Sequence, residues 1–158
     1  MTFPATGVKL FEVPQADIAR LLLSANRALG DEYVEELGLR GYEDVRPGHL
    51  AVCMNIDRRS GTGLTELARR ARITKQGMML LVDELEGRGY VRRVPDPDDG
   101  RAKIVRLTAK GRRYVAEARK VVAGIESRIR RDLGTRQYAA FRASLEFIAG
   151  IEEAQVGT

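Results

Sequence analysis

The chain has 158 residues, 44% hydrophobic and 31% charged, with 27 Lys and Arg against 22 Asp and Glu, for a net charge of +5. This is the composition of a folded globular chain, and no apolar run reaches the roughly 18 residues that a membrane span needs. The single cysteine, Cys53, excludes an intramolecular disulfide, and with one histidine, His49, it cannot supply the four ligands of a structural zinc site. No cofactor is expected. The N-terminus lacks the basic start and apolar core of a signal peptide, so a reducing, cytoplasmic setting is expected. Residues 58–113 carry 15 Lys and Arg against 7 Asp and Glu, a net +8, which leaves the remainder at −3. A basic middle between acidic flanks suits a phosphate backbone through counterion release; the plainer alternative is a solvated face.

Residues 1–14 read as irregular and end at Pro14. Ile18, Leu22, Ala25 and Leu29, with Leu21 beside them, form a stripe that predicts a helix from Gln15 to Leu37, capped by Gly38. Residues 39–46 read as a polar loop. Pro47 suits the first turn of a second helix carrying Leu50, Ala51, Met54 and Ile56, and Ser60-Gly61-Thr62-Gly63 breaks it. Leu64, Leu67, Ala68 and Ala71 predict a third helix. After Arg72-Ile73, Thr74 can cap a fourth, where Met78, Leu81, Val82 and Leu85 repeat the spacing until Gly87 and Gly89. Two short helices with so tight a link are a helix-turn-helix arrangement.

The period then changes. Tyr90–Val94 and Ala102–Leu107 read as two strands around the turn residues Pro95–Gly100. Thr108 caps a long helix to about Arg131, with Val115, Ala118, Val122, Ile125 and Ile129 on one side. After Gly134-Thr135, a last helix places Tyr138, Phe141, Leu145 and Ile148 at 3-4-3 spacings, like a coiled-coil seam. The fold class is therefore mainly α (α+β): a winged helix-turn-helix with N- and C-terminal helices forming a dimerisation layer. Residues 1–46 would supply an arm and first helix, 47–108 the DNA-binding domain, and 109–158 the C-terminal dimerisation helices. The alternative is a monomer whose outer helices fold back over the wing domain.

Leu64-Thr65-Glu66-Leu67-Ala68, Leu81 to Val91, Asp99-Gly100-Arg101 and Leu107-Thr108-Ala109-Lys110-Gly111 resemble the MarR family of bacterial transcription regulators. The spaced pattern D-x-R-x5-L-T-x2-G is complete in Asp99, Arg101, Leu107, Thr108 and Gly111. The resemblance implies a homodimer with two winged lobes on a pseudo-palindromic double-stranded DNA site. It also implies that Arg101 enters the minor groove and that Asp99 steadies the wing, most simply by pairing with an arginine.

On the fourth helix, the face opposite Met78, Leu81, Val82 and Leu85 shows Lys75, Gln76, Met79 and, further back, Asp83. Thr74 and Lys75 are placed to meet phosphate, and Gln76 can pair with adenine. Many family members carry Thr-Arg where this chain has Met79-Leu80, so fewer hydrogen bonds to bases are expected. Met79 can instead touch a thymine methyl, and Leu80 is expected to tuck against the wing. Arg69, Arg70, Arg72 and Lys103 are candidates for the DNA backbone.

Family members often bind small aromatic or phenolic anions where the dimer helices meet the winged domain. Here His49 and Cys53, four apart on the second helix, could form such a site with Arg27, Arg46 and Tyr114. The plainer reading is a packed histidine and a small core cysteine. Two other functions stay open: an enzyme using His49 and Cys53 as base and nucleophile, and a protein-interaction module without DNA binding. Family peroxide sensors use a cysteine near the N-terminus, which this chain lacks, so redox sensing is not expected of Cys53.

Overall fold

The computed structural model describes residues 17–150, so the N-terminal irregular segment lies outside the described residues. Helix α1 (Ile18–Gly38) is followed by α2 (Pro47–Asn55), strand β1 (Thr62–Gly63), α3 (Leu64–Ala71) and α4 (Lys75–Gly87). The hairpin β2 (Val91–Pro95) and β3 (Lys103–Leu107) then leads into α5 (Ala109–Leu133) and α6 (Thr135–Ile148). The antiparallel sheet has the order β1-β3-β2, with Val91 opposite Leu107 and Pro95 opposite Lys103. Two compact units divide the described chain, one ending at Val122 and the other beginning at Ala123.

Caps set the helix limits. Asp17 accepts from the Arg20 amide at 2.9 Å to start α1. Helix α1 stops at Gly38, where the sequence places its end, with Leu39 as the C-cap residue; just beyond, Gly41, at φ +84°, closes a Schellman-type turn in which the Tyr42 amide reaches the Leu37 carbonyl at 3.0 Å. Thr74 accepts from the Gly77 amide at 3.1 Å, and Thr108 from the Gly111 amide at 3.1 Å. The link between α3 and α4 turns at Arg72, whose φ of +52° is unusual for a residue with a Cβ. A second Schellman turn ends α4, with Gly89 at φ +76° and the Tyr90 amide on the Leu85 carbonyl at 2.8 Å.

The first unit has a core of Leu67, Met78, Val82, Leu85, Val91, Val105 and Leu107 beneath the wing, all buried. Two expected faces shift. On α2 the buried side is His49, Val52 and Cys53, while Met54 is 40% exposed. On α5 it is Tyr114, Val115, Ala118 and Val121. Tyr42, Tyr90 and Tyr114 pack with ring centroids 5.2–6.4 Å apart, and the Tyr33 and Tyr114 hydroxyls bond at 2.9 Å. This cluster joins α1, the loop after it, the start of the wing and α5. In α1, Ile18, Leu21 and Leu29 of the expected stripe are exposed. In the second unit, α6 buries no residue, and Phe141 and Ile148 are exposed.

His49 is fully buried and bolts α2 to α4. Its Nδ1 accepts from the Arg46 amide at 3.1 Å, so Nε2 carries the proton and donates to Glu84 Oε2 at 2.8 Å. Arg46 also pairs with Glu84, and Arg88 Nη1 lies 3.5 Å from both ring nitrogens. Burial lowers the His49 pKa, the Glu84 bond opposes that shift, and the charges of Arg88 and Arg46 add to it.

Two stability predictions follow from these contacts. A Cβ on Gly111 would collide with the Tyr90 carbonyl, so Gly111→Ala should cost about 3 kcal/mol or more in urea denaturation. His49 is neutral in the folded chain, whereas the unfolded chain takes up its proton below about pH 6.5. Stability should therefore be full above that pH and fall as pH drops from 6.5 towards 5. Glu84, held near 2 chiefly by Arg46, and Glu66, also near 2, titrate lower. The melting temperature of His49→Asn should be lower at pH 7 and flatter between pH 7 and 5; an unchanged slope would contradict the assignment.

Candidate nucleic-acid interface

The Thr74 cap starts α4 with its inner face (Met78, Val82, Leu85) buried. The outer face then presents Lys75 and Gln76 exposed, Met79 at 44% and Leu80 at 58% exposure. Leu80 does not tuck against the wing as expected. Leu81 takes the inward position beside it, and Gly48 faces Leu81 so closely that a Cβ there would lie 3.1 Å from it. Asp83 does not present a free carboxylate. It pairs with Arg93 of β2 at 2.5 Å, and Glu86 holds the same arginine by its backbone amide at 2.7 Å and by its guanidinium. Arg93 is thereby withdrawn from reading.

The wing is built on backbone capping. The Asp98 amide donates to Asp96 Oδ1 at 3.0 Å, and the Ala102 amide to the Asp99 carbonyl at 2.9 Å. Asp99 accepts from the Arg101 amide at 3.1 Å, so it steadies the turn by this bond instead of by the expected arginine pair. These bonds engage the Asp96 and Asp99 carboxylates with the turn's own amides and leave the Arg101 side chain exposed, with no ion-pair partner among the described residues. Lys103, at the start of β3, is likewise exposed.

The arginines of α3 behave differently. Arg69 grips Glu66 through two bonds of 2.7 Å, and Arg70 adds a third at 2.7 Å, holding the Glu66 carboxyl well below its ordinary range. Arg69 is thus already engaged, although 72% of its side chain is open to solvent. Arg72 is exposed at the left-handed turn between α3 and α4.

The five candidate effector residues do not converge. His49 and Arg46 belong to the Glu84 bolt, Tyr114 is fully buried against Tyr33, and Arg27 is exposed on α1. Cys53 is 1% exposed, and burial pushes its thiol up to about 12, which keeps it protonated and non-nucleophilic. An open cleft of about 440 Å³ lies instead at the other end of α2. Cys53, Ile56 and Val115 form its buried floor, and Arg58, Arg59, Arg70 and Arg119 stand around it. Asp57 fixes the loop by accepting from the Arg59 and Ser60 amides, both at 2.8 Å. Sequence reading missed this cleft because its arginines come from three separate segments.

A sequence profile described as the MarR family matches residues 44–102, which include α2 to α4, β2 and the wing turn. The HTH-type transcriptional repressor Rv2887 of Mycobacterium tuberculosis is 34% identical over 96 residues, covering 60% of this chain and 69% of that protein. Its structure with salicylic acid superimposes with a TM-score of 0.63 at 27% identity, over 85% of this chain and 98% of that one. The repressor CouR of Rhodococcus jostii RHA1, bound to a 23-mer DNA duplex, superimposes with a TM-score of 0.71 at 29% identity, over 84% of this chain and 92% of that one. With the capped fourth helix, the hairpin and the D-x-R-x5-L-T-x2-G residues in their places, this chain belongs to the MarR family of winged helix-turn-helix transcription regulators.

Proposed function

We propose that the chain is a sequence-specific double-stranded DNA-binding regulator that acts as a repressor, as a homodimer on a pseudo-palindromic operator. One observation carries this reading. A single compact unit presents a capped helix with an open outer face and a hairpin whose Arg101 is exposed with no ion-pair partner among the described residues, while Asp96 and Asp99 accept from the turn's own amides. Gln76 and Met79 enter the major groove, Thr74 and Lys75 meet phosphate at its edge, Arg101 enters the minor groove, and Lys103 and Arg72 meet the backbone, while Arg69 stays on Glu66. The uncovered apolar residues of α1, and those of α6, are covered by a second copy. Two lobes then address half-sites about one helical turn apart. No catalytic step is assigned, since both His49 nitrogens are engaged and the Cys53 thiol is protonated. The setting is cytoplasmic, where the DNA is; among the described residues no helix is long and apolar enough to cross a membrane.

The effector is an aromatic anion seated in the arginine-framed cleft, with its ring on Cys53, Ile56 and Val115 and its charge at Arg119. The relative that binds salicylic acid supports this class. His49, Arg46 and Tyr114 take structural roles.

Gel shifts on DNA upstream of the chain's own gene test the reading. Binding should weaken steeply with salt. Arg101→Ala should lose about tenfold in affinity across sequences, about 1.4 kcal/mol, and lower the salt slope by about 1. Unchanged affinity, preference and slope would remove Arg101 from the interface. Salicylate should raise the apparent Kd for the operator. Arg119→Ala should blunt that response while leaving DNA affinity alone, and an undiminished response would place the ligand elsewhere.

A further inference from the structure

We infer that the recognition helix reads its half-site chiefly as A·T pairs, with Gln76 on an adenine and Met79 and Leu80 on thymine methyl groups. The inference rests on the DNA-binding reading above and names what that site selects. At about 100° per residue, Gln76 and Asp83 fall on one line of α4, and Met79 and Leu80 flank it on either side. Both flanking residues are large, apolar and substantially exposed, at 44% and 58%. Water is an unfavourable final environment for two neighbouring apolar side chains on a helix whose Met78, Val82 and Leu85 are buried.

The occupant is argued from what surrounds them. Lys75 and Gln76 precede them on the same exposed face, and residues 58–113 carry a net +8. A positively charged approach brings phosphate, and the apolar feature of a major groove is the thymine C5 methyl. The usual guanine reader is arginine, and the face has none. The arginine behind it, Arg93, is clamped between Asp83 and Glu86. Asp83, which could accept from a cytosine amino group, spends its Oδ1 on that clamp. With Thr74 and Lys75 at the phosphate, the remaining hydrogen-bonding reader of bases is the Gln76 amide, whose bidentate partner is adenine. Met79 and Leu80 lie about 4.5 and 6 Å further along the helix, which puts the methyls one to two base steps from that adenine.

The test starts from operators selected out of random DNA by the full-length protein. Each thymine is then replaced by deoxyuridine, which removes only the methyl group. One or more positions per half-site should lose roughly fourfold in affinity, the value for burying one methyl-sized group. Met79→Ala and Leu80→Ala should bind thymine and uracil versions equally at the matching positions. Met79→Arg should shift the selected base to guanine. If no deoxyuridine operator binds more weakly, or if selected half-sites place guanine or cytosine opposite these residues, the inference is wrong while the regulator reading stands. If the two alanine variants bind every operator as the parent does, the apolar pair serves a protein partner and the inference is again wrong. Failure to enrich any DNA sequence would overturn both.

Discussion

The Tyr90 carbonyl is the point at which both DNA-reading elements are fixed. It accepts from the Thr108 amide at 3.0 Å and from the Thr108 hydroxyl at 3.1 Å, while the Tyr90 amide closes the turn that ends α4. Gly111 lets the first turn of α5 come against this carbonyl, because no Cβ stands between them. The end of the recognition helix, the first residue before the wing and the start of α5 thus share one backbone junction. Such bonds have fixed geometry and few alternatives, so helix and wing keep one relative position without depending on side-chain packing alone. A rigid pair of readers gives up little freedom on binding, and affinity gained through contacts is not spent on ordering. It also gives the spacing of Leu107, Thr108 and Gly111 a mechanical reason: the strand end, the cap and the contact must arrive at one place.

Charge in this domain serves two purposes that a count cannot separate. Arg69 and Arg70 hold Glu66, Arg93 holds Asp83 and Glu86, and Arg46 holds Glu84. These pairs sit at helix ends and between α4 and the wing, so they orient the readers. Exposed pairs of this kind contribute little stability, because solvent screens them. Their effect is to decide which cations remain available. Pairing leaves the net +8 of residues 58–113 unchanged, so long-range attraction to a polyanion persists. At contact distance the choice narrows to residues such as Lys75, Arg101 and Lys103.

Much of this was legible from residue patterns because it is local. The 3–4 spacings of α3 and α4, the Thr74 and Thr108 caps and the hairpin turn each depend on neighbours in the chain. What escaped was non-local or too short. β1 is two residues long and exists only through its pairing with β3, so no alternation announces it. The nine residues of α2 are apolar on several sides, so periodicity picked Leu50 and Met54 where the core takes His49, Val52 and Cys53. Leu80 looked like a residue seeking cover, yet Leu81 already fills the place beside Gly48. The clamp on Arg93 joins residues 7 and 10 positions apart across a helix end and a strand, which sequence spacing alone does not bring together.

The same short helix explains how an effector could matter to DNA affinity. A ligand changes an equilibrium only by binding its two arrangements unequally. The arginine-framed cleft lies at the C-terminal end of α2, and the His49 bolt to Glu84 lies near its N-terminal end. A nine-residue helix is a stiff rod of about 13 Å, so a displacement at one end must be accommodated at the other or strain the helix. At the bolt, little accommodation is available: His49 is fully buried, both its nitrogens are engaged, and Gly48 is in close contact with Leu81. On the proposed effector reading, a displacement at the cleft would reach α4 through the His49–Glu84 bond, and the Tyr90 junction would tie the turn and wing to that helix.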